Sequence, residues 1–188
     1  MRDGRGQGEQ WRSWLAGAAV TLTVAVAGCA GGAERPEDEW FAWQEDPLVL
    51  PAVPDTSSLL PVSIGRPGDP YQYFIDPGSL RVGRDGVTRY VVVLRSAQGA
   101  GNVFYEGIRC SGATSRVFAY GSGGGFRVLP DEGWKGLTRD GPNAYRFMLA
   151  RGYLCTALSL PFDEKAALAR LRMPNAPGIH EQGLGLFQ

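Results

Sequence analysis

Five runs rich in aromatic and β-branched residues follow one another between Tyr71 and Leu129, each bounded by a turn signal. That spacing leaves little choice of fold. Tyr71 to Ile75 is closed by Asp76-Pro77-Gly78. Arg84-Asp85-Gly86 then precedes Thr88 to Ser96, where Val91, Val92, Val93 and Leu94 stand in a row. Gln98 to Gly101 turns into Asn102 to Cys110, Ser115 to Tyr120 follows, and Gly121-Ser122-Gly123-Gly124-Gly125 leads to Phe126 to Leu129. Strands joined by such short turns pair antiparallel, because a parallel crossover needs a dozen or more residues. Helical patterning begins only afterwards. Asp140 or Gly141 caps a segment with Pro142 at its start and Tyr145, Met148, Leu149 and Gly152 at helical spacing; Asp163 opens a second through Ala167, Leu168 and Leu171 until Pro174. The expected class is therefore α+β, an antiparallel β-meander sheet followed by two C-terminal helices packed on one face.

The first residues do not belong to that domain. A polar start with Arg2, Arg5 and Arg12, an apolar core from Leu15 to Val26 and the small residues Ala27 and Gly28 make an export signal. Val26-Ala27-Gly28-Cys29 resembles the processing site of a bacterial lipoprotein, which implies cleavage before Cys29 and acyl chains such as palmitate on its thiol and amino group. The apolar core is too short to span a bilayer, which takes about 20 residues. Two or more acyl chains, by contrast, anchor a protein stably. Ala30, unlike an aspartate, carries no inner-membrane retention mark, so the expected location is the outer membrane, facing the periplasm. An ordinary secretory peptide, with Cys29 incidental, is the alternative. The layout expected is a lipoprotein signal peptide over 1–28, a flexible acidic tether over 29–39, a folded domain over 40–175 and a flexible tail over 176–188.

Charge is uneven. Residues 30–55 hold seven acids against Arg35, whereas residues 56–188 hold ten acids against fifteen bases, a net charge of +5. A moderately cationic surface could meet anionic lipid or polysaccharide, or the chain's own acidic leader; a solvated mixed surface is the blander alternative. Trp40, Phe41 and Trp43 stand among the acids of that leader, either packed on the domain or offered to a partner, and packing keeps large aromatics from water. Pro47 to Pro54 should run extended. With Cys29 set aside, Cys110 and Cys155 remain in a compartment that supports disulfides, and pairing is expected. Free thiols with a metal or redox role are the alternative, but two cysteines and the single His180 cannot supply the four ligands of structural zinc. No cofactor or metal is expected.

Tyr73-Phe74-Ile75-Asp76-Pro77-Gly78-Ser79-Leu80, Asp85 to Tyr90, Gly99 to Val103, Tyr105-Glu106-Gly107-Ile108-Arg109-Cys110 and Tyr153-Leu154-Cys155 resemble, in order and spacing, the CNP1-like family of proteobacterial envelope proteins. The resemblance covers about Trp40 to Pro174, and the hexapeptide from Tyr105 to Cys110 is its most specific part. It implies an exported, often lipoprotein-like protein without an established biochemical activity. The order of turn and strands is also loosely similar to bacterial surface-adhesin E proteins, in topology alone.

Strand alternation sends Phe104, Glu106, Ile108 and Cys110 to one face and Tyr105, Gly107 and Arg109 to the other. If Cys110 bonds to Cys155 under a helix, Glu106 faces the covered side and must be paired, hydrogen-bonded or protonated. Arg146 and Arg151 are the candidate partners. Glu106 is thus a structural ion pair or a ligand or catalytic carboxylate, and a bulge at Gly107 would turn it outward. The structural pair is the expectation. Catalysis would otherwise rest on Glu106 or Asp76 in a cleft, or on His180 in a Pro/Gly-rich tail. The glycine run lacks the lysine of a phosphate loop, and no nucleic-acid motif is present. The function expected is a non-catalytic binding or structural module, held at the membrane by its lipid and contacting an envelope protein through Trp40 and Trp43. Binding of an anionic ligand, lipopolysaccharide or peptidoglycan, through Arg81, Arg84, Arg89 and Arg95 is the alternative, and a hydrolytic enzyme stands behind both.

Overall fold

A computed structural model of the chain describes residues 42–64 and 68–174, and the folded unit begins at Trp43. Cys29, Trp40, Phe41, His180, the signal segment, the tether and the C-terminal tail lie outside the described residues. Six strands lie side by side in chain order, each antiparallel to the next: β1 (Leu60–Val62), β2 (Tyr71–Val82), β3 (Val87–Ser96), β4 (Gly101–Arg109), β5 (Thr114–Ser122) and β6 (Gly125–Val128). A short seventh, β7 (Lys135–Gly136), pairs with the start of β5, while β6 pairs with its end. Two helices follow the sheet: α1 (Ala144–Leu149), which runs on as a π-helical turn over Ala150–Leu154, and α2 (Glu164–Leu171). The antiparallel meander and the two trailing helices are as the sequence predicts. Among the described residues no helix is long and apolar enough to cross a membrane.

Local details differ. Asp76-Pro77-Gly78 does not end the first long strand; β2 continues through it to Val82, with its register to β3 shifted between Asp76 and Arg81. Side chains take over the broken ladder there. The Asp76 carboxylate accepts from the Gly78 amide, and the Ser79 hydroxyl donates to the Asp76 carbonyl while accepting from the Val91 amide. A bulge tolerates proline because it leaves a residue unpaired. The glycine run is mostly strand. Only Gly123 and Gly124, with φ of 59° and 85°, form the connection, a two-residue hairpin turn that requires positive φ at both positions. The first helix starts after Asn143, not Asp140 or Gly141, and no side chain caps it. The second begins as expected, with the Asp163 carboxylate accepting from the Ala166 amide.

Alternation along the strands divides the core in two. Tyr73, Ile75, Leu80, Tyr90, Val92 and Ile108 pack beneath Tyr145, Leu149, Tyr153, Leu154 and Leu171 of the helical layer. Val91, Tyr105, Phe118 and Ala119 form a smaller cluster on the other face, with Phe126 and Trp134 against it. Gly107 belongs to that second face. A Cβ there would come within 2.8 Å of Phe118 Cε2 and 2.9 Å of Val87 Cγ1, so the absent side chain is what lets the Phe118 ring approach the β4 backbone. Cys110 and Cys155 are bonded, with Cα atoms 5.6 Å apart, and join the residue after β4 to the residue after the π-helical turn.

Candidate functional site

Glu106 lies in the middle of β4, directly opposite Tyr90 of β3, and is fully buried between sheet and helix. Four donors converge on it. The Tyr90 hydroxyl donates to Oε2 at 3.1 Å and the Tyr145 hydroxyl to Oε1 at 2.6 Å. Arg146 grips both oxygens, Nε to Oε2 at 3.0 Å and Nη2 to Oε1 at 2.6 Å. A carboxylate offers about four lone-pair positions, and four donors occupy them. Of the two partners proposed from sequence, Arg146 is the one bonded. Tyr145 and Arg146 both stand in the first turn of α1. The Tyr145 ring also stacks on Tyr73 at 5.0 Å, which ties the helix start to β2.

The neighbours carry the electrostatic imprint of this arrangement. Burial, and then the Glu106 charge, push the Tyr90 and Tyr145 hydroxyls well above the ordinary phenol range. Burial works to lower the Arg146 pKa, but the adjacent carboxylate outweighs it and holds the guanidinium charged. Arg146 is also the edge of the cluster. Its side chain is 12% exposed and lines a surface pocket of about 460 Å³ together with Phe104, Val117, Leu137, Thr138 and Asn143. Glu106 itself does not line that pocket.

A second polar centre holds the acidic leader on the opposite face. The buried Asp85 carboxylate accepts from Arg89 through Nη1 and Nη2, at 3.1 and 2.6 Å, and from the amides of Asp46 and Val87. Burial acts to raise the Asp85 pKa, yet these hydrogen bonds and the Arg89 charge together bring it below the usual carboxylate range. Glu45 joins Arg116 at 2.9 Å and Arg89 at 3.6 Å, and accepts from the Trp134 indole. Trp43 packs edge-on to Trp134, lies under the Arg109 guanidinium at 4.2 Å and donates its indole N–H to the Asp85 carbonyl. The cationic sheet face thus receives the chain's own acids, and Trp43 packs on the domain while remaining 36% exposed.

The other candidates do not assemble. Arg81 and Arg89 are cross-strand neighbours, but Arg89 is held by Asp85 and Glu45, and Arg81 donates to the carbonyl of Leu80. Arg95 stands six residues further along β3, about 20 Å away, with its guanidinium over Phe74. Arg84, in the turn after β2, donates only its amide to Asp46. Asp76 pairs in register with Val91 of the second face, whereas Glu106 belongs to the helix side, so the two carboxylates share no cleft. Among the described residues no group of three or more His, Cys, Asp or Glu side chains could hold a metal ion. Sequence reasoning missed Tyr90, Tyr145 and the Asp85–Arg89 pair. Counting back from the turn at Gln98 to Gly101 places Tyr90 opposite Glu106; nothing comparable locates Tyr145.

A family model described as the CNP1-like family matches residues 38–172, the greater part of the chain. No curated protein and no solved structure matches it.

Proposed function

The chain belongs to the CNP1-like family, and on that footing we propose that it is a non-catalytic envelope lipoprotein, anchored through Cys29 in the outer membrane and facing the periplasm, whose domain binds or braces another envelope protein. The observation that carries this reading is the closure of Glu106. The only acid of β4 has its acceptor positions filled by Tyr90, Tyr145 and Arg146 inside the core. It serves to fix the helical layer on the sheet and has no position left to take a proton from a substrate.

Binding then falls to the surface, and the leader supplies a contact. The open edge of Trp43 is followed in the chain by Pro47 to Pro54, without helix or strand, in which Leu48, Val49, Leu50 and Val53 are exposed, Val49 to 74%. Exposed apolar residues grouped in this way mark protein contacts, and the indole is a side chain enriched at binding hot spots. Trp40, three residues earlier in the chain, is the second candidate anchor. The test is cross-linking in intact membranes followed by capture of the protein and mass spectrometry of what comes with it, against a Cys29→Ser control. A stoichiometric protein partner that the control loses is the expected result. Recovery of lipid or glycan alone, released by salt, would overturn the reading in favour of an anionic ligand.

A further inference from the structure

We propose that the cavity walled by the disulfide is a binding site for a single-chain anionic amphiphile. Resting on the reading of the domain as a binding module, this site lies on the helix side of the sheet, whereas Trp43 packs on the other. The cavity measures about 450 Å³, and its apolar wall is built by Cys110, Ala113, Leu137, Phe147, Ala150 and Cys155. Small-molecule sites span about 300–1,000 Å³ and are mostly apolar with a few polar groups that set orientation. Here those groups are cationic. Arg139, whose guanidinium lies over the Phe147 ring at 5.3 Å, and Arg151 line the cavity. An apolar chamber with two guanidinium groups complements a hydrocarbon tail that ends in a carboxylate or phosphate.

The backbone singles out the same place. Among the described residues only two non-glycine residues have positive φ, Ala113 at 46° and Ser159 at 59°, and both line this cavity. Such conformations are costly for any residue with a Cβ, persist only where the surroundings impose them, and gather at ligand sites. The α1 helix also changes to π-helical geometry at Ala150, and Ala150 and Arg151 are lining residues. Single π-turns of this kind are frequent at functional sites. On either side of Ser159, Leu158 is 82% and Leu160 56% exposed, an apolar lip for a chain entering from a membrane or a micelle.

A free fatty acid and an anionic lysophospholipid share this chemistry, and calorimetric titration with decanoate and with lysophosphatidylglycerol tells them apart. The protein used is the full chain carrying Cys29→Ser, which cannot be acylated at that position, beside the same chain carrying Arg139→Gln and Arg151→Gln; both arginines are exposed, and binding is compared at a temperature where thermal unfolding shows both proteins folded. Saturable one-to-one binding of either probe, weakened about tenfold in the double arginine variant, is expected, while uncharged decanol should bind both proteins equally. Binding of decanoate alone points to a fatty acid, and of the phospholipid alone to a lipid headgroup. No saturable binding of either probe, or binding that the double variant leaves unchanged, overturns the proposal. A protein partner captured from membranes without amphiphile binding would sink this site and leave the bracing role standing; amphiphile binding without a partner would do the reverse.

Discussion

Glu106 shows what one residue contributes when every lone pair is used. Glu106→Gln keeps the shape but removes the charge that balances Arg146, and losing one partner of a buried pair costs about 3 kcal/mol or more. For a domain of this size that is about 10 °C in Tm. Thermal unfolding checks it, and an unchanged Tm would mean that the pair contributes nothing. Asp85 makes a different prediction, in pH. Its folded pKa lies below the unfolded value, so the stabilisation is complete above about pH 4 and lost as pH falls through the folded pKa. Asp85→Asn should therefore be less stable than the wild type at neutral pH, with the gap in urea midpoint closing as pH falls below about 4. On the alkaline side the raised Tyr90 and Tyr145 pKa values place the loss above about pH 10. Alternation made the direction of Glu106 legible and narrowed its partner to Arg146 or Arg151. Tyr145 was not, because the phase of a helix against a sheet is set by packing that no local pattern records.

At the scale of elements, the strands were legible wherever turns punctuate them, and ends were misplaced wherever a side chain substitutes for a turn. Asp76 and Ser79 carry β2 through a proline by supplying the bonds its ladder lacks; β1 and β7, of three and two residues, are too short to show any period. Gly107 in β4 and Cys110 directly after it serve opposite faces, one leaving room for Phe118, the other fastening the helical layer. That fastening is testable. Reduction, or Cys155→Ser, should lower unfolding stability by about 4 kcal/mol in the chain-entropy account of a loop this long. Hydrogen exchange should quicken first over 144–154, with the amides of β3 and β4 protected longest. Equal acceleration across sheet and helices would show that the bond constrains the whole domain alike.

At the scale of the whole molecule, the chain uses its two sheet faces for separate tasks. One is sealed by helices around a satisfied carboxylate, and the other is closed by the acidic leader, whose Glu45 meets Arg89 and Arg116. The part of the charge contrast that Glu45 carries thus becomes an internal contact as much as an invitation to a foreign anion. Placing function on the surface, with Glu106 confined to architecture, is the central claim. Its most direct test is the amount of cross-linked partner captured by Glu106→Gln relative to the wild type, at a temperature where both are folded. A lowered Tm with undiminished capture is the predicted result; capture lost while the Tm stays unchanged would contradict the account and return Glu106 to a functional site.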